Sequence, residues 1–128
     1  MSRFATGAGL KKVAVTVSKL IVLDPGHGGN DPGAVGNGLK EKALNLTISL
    51  ATRDALKDYD CTVKMTRTKD VYVALSARAA MGKGAAIFVS QHNNAYSASS
   101  ARGFETFANS GPLLSATLLI VLFSGIHA

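Results

Sequence analysis

Leu20–Gly36 reads LIVLDPGHGGNDPGAVG. Its first four residues are apolar and end in Asp24-Pro25-Gly26, which predicts a buried strand feeding a loop. From Gly26 to Gly38 the chain is rich in Gly, Asn, Asp and Pro. That composition predicts irregular structure, and loops of such length are usually functional. Downstream, Glu41–Lys57 has helical spacing, with Leu44, Ile48, Ala51 and Ala55 on one face and Asn45, Arg53 and Lys57 elsewhere. Cys61–Thr66 alternates, with Cys61, Val63 and Met65 expected inward and Thr62, Lys64 and Thr66 outward, the period of a strand. Thr68-Lys69-Asp70 predicts a turn, and Leu75–Met81 a short helix closed by Gly82 and Gly84. Ala85–Ser90 (AAIFVS) predicts a second buried strand that runs into Gln91-His92-Asn93-Asn94, with a further short strand at Gly103–Ala108. Strands alternating with helices give the expected fold class: α/β, a single domain with a mostly parallel sheet flanked by helices.

Composition agrees with one packed domain. The chain has 128 residues, 47% hydrophobic and 17% charged, which excludes general disorder. Trp is absent and aromatic residues make up 6%, so the core must rest on Val, Ile, Leu and Ala. A formal charge of +6 and a pI near 9.7 favour an anionic partner. The basic residues do not cluster beyond Lys11-Lys12 and Lys40/Lys42, and no aromatics are interleaved with them. A nucleic-acid platform is therefore not expected. The single cysteine, Cys61, excludes an intramolecular disulfide and a Cys-rich metal knuckle; it is expected to be a buried small residue. The apolar stretch Leu113–Phe123 is shorter than the ~20 residues of a membrane span. At the N-terminus, the apolar Val13–Val17 is brief, interrupted by Thr16, and followed by no clear cleavage site. The expectation is a cytoplasmic product without a signal peptide, released by lysis or through a partner pore.

Two histidines occupy matching places. His27 follows the first strand and His92 follows the second. In an open parallel sheet, ligands collect at the carboxyl ends of the strands. Glu41 begins the first helix, and the Gly-rich loop can fold back to bring it to the same point. Two imidazoles and a carboxylate are a catalytic zinc set with a fourth position left for water. Zinc brings the pKa of that water to about 7 and polarises a bound carbonyl, which suits amide hydrolysis. On residue types alone, a pair of solvated loop histidines remains an alternative. So does phosphate binding by the Gly-rich loop, although GHGGNDPGAVG lacks both GxGxxG and a GK[ST] ending.

Four ordered stretches add to this. Leu23–Gly36 with Glu41-Lys42 resembles the first motif of the zinc amidase family called Amidase_3. Met65–Asp70 with Leu75 and Arg78-Ala79 resembles its middle block. Ile87–Ala95 resembles its second histidine block, and Gly103–Phe107 the short strand after it. The resemblance runs from about Lys19 to Ser110. It implies that His27, Glu41 and His92 are zinc ligands, with Zn2+ as cofactor at the carboxyl ends of the strands. It also implies peptidoglycan as the partner, cut at the amide between N-acetylmuramic acid and the L-alanine of the stem peptide. Asp24 or Asp31 is expected to hydrogen-bond a ligand imidazole or cap the loop. Asn94 is expected to orient the His92 loop or touch substrate. Glu105 is expected either in the cleft or facing solvent. Arg67, Asp70 and Arg78 read as a structural pairing and capping set.

The sequence also departs from that family. A later strand of the family carries a second glutamate that acts as general base, whereas Ser124-Gly125 stands where it is expected here. Gln91 stands where the family usually has an apolar residue. The resulting expectation is a truncated or frameshifted copy that binds zinc or cell wall with little or no turnover, since general-base help is worth ~10²–10⁴ in rate. The expected division is an N-terminal extension at 1–18, the catalytic domain at 19–110 and an atypical apolar C-terminal segment at 111–128. The sequence carries no signal for an oligomeric state.

Overall fold

The computed structural model describes residues 19–93, 95–96, 103–108, 116–123 and 126–127; the extension at 1–18 and Asn94 lie outside them. In chain order the elements are β1 (Leu20–Pro25), β2 (Val35–Gly36), β3 (Leu39–Lys40), α1 (Glu41–Ala55) and β4 (Thr62–Met65), followed by α2 (Leu75–Gly82) and β5 (Ile87–His92). The remaining strands are β6 (Ala95–Tyr96), β7 (Gly103–Ala108), β8 (Ala116–Phe123) and β9 (Ile126–His127).

Five strands form one sheet in the order β4-β1-β5-β8-β7. The first four run parallel, and β7 pairs antiparallel with β8 at the edge. From β1 the chain passes through α1 to β4 on one side, then through α2 to β5 on the other. Successive strand residues face opposite sides of a sheet, and their partners show where the helices lie. Asp24 accepts from Arg78 of α2 and from the Ser90 hydroxyl on the same side, whereas Gln91 meets Ser49 of α1. The helices therefore flank the sheet, and the chain reverses its direction of travel between β1 and β5.

The expected α/β fold is the observed one, with local corrections. The Gly26–Gly38 stretch is not wholly irregular, because β2 and β3 form a small antiparallel hairpin. Asn37 and Gly38 both take positive φ, 50° and 74°, between the paired Gly36 and Leu39. That is the two-residue turn whose backbone matches strand twist, and Asn-Gly is its strongest sequence signal. The strand expected at Ala85–Ser90 begins at Ile87 and runs through His92, so His92 is the last strand residue rather than the first loop residue. Alternation along β4 holds, but Thr66 is buried because its hydroxyl donates to Asp24. Cys61 is half-buried, with its thiol directed to the Leu56 carbonyl.

Helix α1 differs most. Its buried residues are Glu41, Asn45 and Ser49, while Ala51 and Ala55 are exposed and Leu44 and Ile48 half-buried. A polar stripe at i, i+4 and i+8 faces the sheet, since its groups have buried partners waiting there. Among the described residues the buried apolar side chains are Val22, Leu23, Pro25 and Ala85, outnumbered by buried polar ones. No helix among the described residues is long and apolar enough to cross a membrane.

Candidate metal centre

The carboxyl ends of β1 and β5 lie side by side, with Pro25 in register with Gln91. His27 stands two residues beyond β1, and His92 closes β5. Glu41 opens α1 directly after the β2–β3 hairpin, which folds the Gly-rich loop back onto the sheet end. These three residues each offer a ligand atom within 4.8 Å of one another, and among the described residues they are the one such group. They meet where the chain reverses direction, the usual ligand crevice of an open α/β sheet.

The Glu41 carboxylate is the centre of the group. Its Oε2 lies 3.2 Å from His27 Nε2, and its Oε1 lies 3.0 Å from His92 Nδ1. The backbone N–H of Ala34 donates to Oε2 at 2.9 Å and that of Asn93 to Oε1 at 2.9 Å. Burial by itself would raise the carboxyl's pKa. The His92 hydrogen bond, the two backbone donors and the nearby His27 outweigh burial and bring it down to about 2. An ionised carboxylate is thus held between two imidazoles. The rings sit edge to face with centroids 4.9 Å apart.

Each histidine is oriented by its surroundings. His27 Nδ1 lies 2.9 Å from Asp31 Oδ2. A carboxylate can only accept, so Nδ1 is the donor to Asp31, and Nε2 is the nitrogen that faces Glu41. The hydrogen bond from His27, then the Gly33 N–H, hold the Asp31 carboxyl below its usual range. His27 itself has φ 60°, and its carbonyl accepts from Arg78 Nη2 at 2.8 Å. His92 lies against the backbone of Gly26, where an added Cβ would meet its Cε1 at 2.3 Å. At Gly33, φ is 66° and a Cβ would meet His27 Cδ2 at 2.6 Å and Glu41 Oε2 at 2.7 Å. Both positions need glycine because the site occupies the space that a side chain would take.

The donor set fits a divalent ion of borderline softness. Two donors at about 2.0–2.1 Å from zinc in a tetrahedron stand roughly 3.3 Å apart, close to the observed nitrogen–oxygen separations. A negative carboxylate and two imidazoles also match the ligand types of that ion.

The other expected site residues divide. Asp31 reaches the His27 imidazole; Asp24 reaches neither histidine. Asp24 instead accepts from Arg78 and Thr66 on Oδ1 and from Ser90 on Oδ2, deep beneath the site. Arg78 does pair with Asp24, and Asp70 pairs with Lys42 at 2.6 Å and accepts from the Gly29 N–H. Glu105 is exposed on β7. Asn94 falls outside the described residues.

Sequence reasoning passed over three supports. Asn45 donates to the Gly26 carbonyl at 3.2 Å, Asn93 donates to Asn45 Oδ1 at 2.7 Å, and the Ser49 hydroxyl donates to Gln91 Oε1. The signal available was the polar stripe Glu41-Asn45-Ser49, one helical face beginning at the clustered glutamate.

A mostly parallel sheet with a histidine–glutamate–histidine group at its reversal point defines an α/β protein equipped to hold a divalent metal. A family model described as N-acetylmuramoyl-L-alanine amidase, Amidase_3, matches residues 21–118, and the chain belongs to that family. The amidase AmiC of Neisseria meningitidis is 46% identical over 87 residues, which cover 66% of this chain and 21% of that protein. The sporulation-specific amidase of Bacillus subtilis is 47% identical over 91 residues, 68% of this chain and 34% of its own length. Among solved structures, an amidase from Clostridium difficile 630 superposes with a TM-score of 0.69 at 36% identity, covering 75% of this chain and 55% of that one. The CwlD amidase of Clostridioides difficile, solved in complex with the GerS lipoprotein, gives a TM-score of 0.73 at 25% identity and 82% coverage of each chain. The chain thus spans about a fifth to a third of the length of these curated relatives.

Proposed function

We propose that this chain carries the zinc centre of a peptidoglycan amidase and that His27, Glu41 and His92 are the ligands. The reaction is hydrolysis of the amide between N-acetylmuramic acid and the L-alanine of the stem peptide, at the bacterial cell wall. The carrying observation is the meeting of three donors from three separate elements around one point. Residues 19–110 form the catalytic portion in this reading.

When bound, zinc would supply an activated water and polarise the scissile carbonyl. The chain's own residues supply the setting. Asp31 fixes the tautomer of His27. Ala34 and Asn93 keep Glu41 ionised and fix its two oxygens in place. Asn94 and Glu105 remain candidates for substrate contact.

A second reading, metal binding without turnover, rests on Glu105. It is the one acidic residue in the sequence after Asp70, and it is exposed on β7. Metal analysis and release of stem peptides from purified peptidoglycan test both readings together. One zinc per chain with peptide release supports the first, and zinc without release supports the second. His27→Ala and His92→Ala are each expected to abolish metal binding. Unchanged metal content in both variants overturns the ligand assignment.

A further inference from the structure

Arg67 lies two residues beyond β4, beside the end of β1, and is only 3% exposed. Among the described residues, every hydrogen-bond partner of its guanidinium is a backbone carbonyl. Nε donates to Pro25 at 2.9 Å, Nη2 donates to Gly26 at 2.9 Å and to Lys42 at 2.8 Å, and Nη1 donates to Lys69 at 3.3 Å. Pro25-Gly26 immediately precede His27, and Lys42 immediately follows Glu41. The two segments that present these side chains are therefore fastened to one rigid plane. The His27 loop wraps the same group closely, since a Cβ on Gly28 would stand 3.0 Å from Arg67 Nε.

Arg78 is different. It too binds carbonyls of this loop, but it is matched to the Asp24 carboxylate and so forms a buried ion pair. Burial, then the neighbouring Arg78 charge, push the Arg67 pKa down. A buried cation whose direct partners are neutral carbonyls is a costly way to stabilise a fold. What it provides is a fork of donors in fixed geometry, which an apolar side chain cannot supply.

We propose that Arg67 is a positioning residue of the metal centre, setting the separation of His27 and Glu41 by gripping the backbone beside each. The inference rests on the reading of His27, Glu41 and His92 as metal ligands. Lysine in place of Arg67 keeps the charge but offers one ammonium, which cannot span the two segments in a plane.

Zinc affinity is measured by chelator competition for the wild-type chain, Arg67→Lys, Arg67→Ala and, as a control, Val63→Ala on β4. Thermal unfolding of the metal-free forms is followed in parallel. Arg67→Lys is expected to bind zinc roughly 10–100-fold more weakly. Methylguanidinium is expected to restore part of the affinity of Arg67→Ala. Val63→Ala is expected to lose stability while its zinc affinity stays within about twofold. An Arg67→Lys protein that folds and binds zinc like the wild type overturns this inference alone. A wild-type chain that binds no zinc overturns the ligand reading and this inference with it. If Arg67→Lys does not fold, exchange of the Arg67 Nε–H with solvent in the wild type decides. Coupling is reciprocal, so zinc must slow that exchange several-fold, and an unchanged rate overturns the proposal.

Discussion

At the scale of single residues, Glu41 shows how charge and burial are reconciled. Its side chain is 3% exposed, and burial alone would raise its pKa, yet it is ionised well below the ordinary carboxyl range because the His92 hydrogen bond, the Ala34 and Asn93 N–H groups and the nearby His27 outweigh burial. A depressed folded-state pKa stabilises the fold above the unfolded value of about 4.5, and that stability is lost as pH falls toward about 2. The metal-free wild type is therefore expected to lose stability across that window. In Glu41→Gln this part of the acid dependence disappears, so the stability difference between the two proteins narrows at low pH by on the order of a few kcal/mol. Urea unfolding at pH 7 and pH 3 checks it; an equal stability difference at both pH values contradicts the assignment. Gly26 makes a second residue-level prediction. Because its Cβ would fall inside the His92 ring, Gly26→Ala is expected to cost about 1–3 kcal/mol and to weaken zinc binding, measured by thermal unfolding and chelator competition. That His27, Glu41 and His92 would come together was legible in the sequence, because the two histidines follow apolar strands and Glu41 opens the helix after the Gly-rich loop. The roles of Asn45, Asn93 and Arg67 were not, since their partners are backbone carbonyls or other amides brought near only by the fold.

At the scale of elements, α1 and the hairpin before it correct the expectation from hydrophobic spacing. Leu44, Ile48, Ala51 and Ala55 do fall on one face, but the face turned to the sheet is Glu41-Asn45-Ser49. Periodicity identifies a helix and not which side it buries, because a polar stripe with waiting partners can displace an apolar one. The hairpin was concealed by the Gly and Pro content around it, although Asn37-Gly38 carried its signature. An added Cβ on Gly38 would meet nothing within 4 Å, so only the backbone at φ 74° opposes a side chain there. Gly38→Ala is accordingly expected to cost about 1 kcal/mol and to leave metal affinity unchanged. Thermal unfolding of the metal-free form, paired with a zinc titration, tests that separation. A loss of zinc affinity would show that hairpin geometry reaches Glu41.

At the scale of the molecule, the parallel α/β sheet was legible from two apolar runs and the helical stretches between them. The pairing of β8 beside β5 was not, since an apolar segment in isolation does not reveal its neighbours. The sheet's centre is polar as much as apolar. Asp24 binds Arg78 and takes hydroxyls from Thr66 and Ser90, tying β1, β4, α2 and β5 together. Asp24→Ala leaves a buried guanidinium unmatched and is expected to cost about 3–5 kcal/mol, enough to threaten folding. Circular dichroism and denaturant titration measure it, and a loss under about 1 kcal/mol would show the pair to be solvated.

Strand β1 lies between partners that are both made later, for Leu20 pairs with Thr62 and Ile21 with Ile87. Synthesis therefore yields β1 before either of the strands that flank it. Contacts of such long range slow folding, so His27 waits for His92 until β5 has docked. A metal supplied to refolding protein is expected to bind only after β5 has docked beside β1, which makes metal uptake a clock for that pairing.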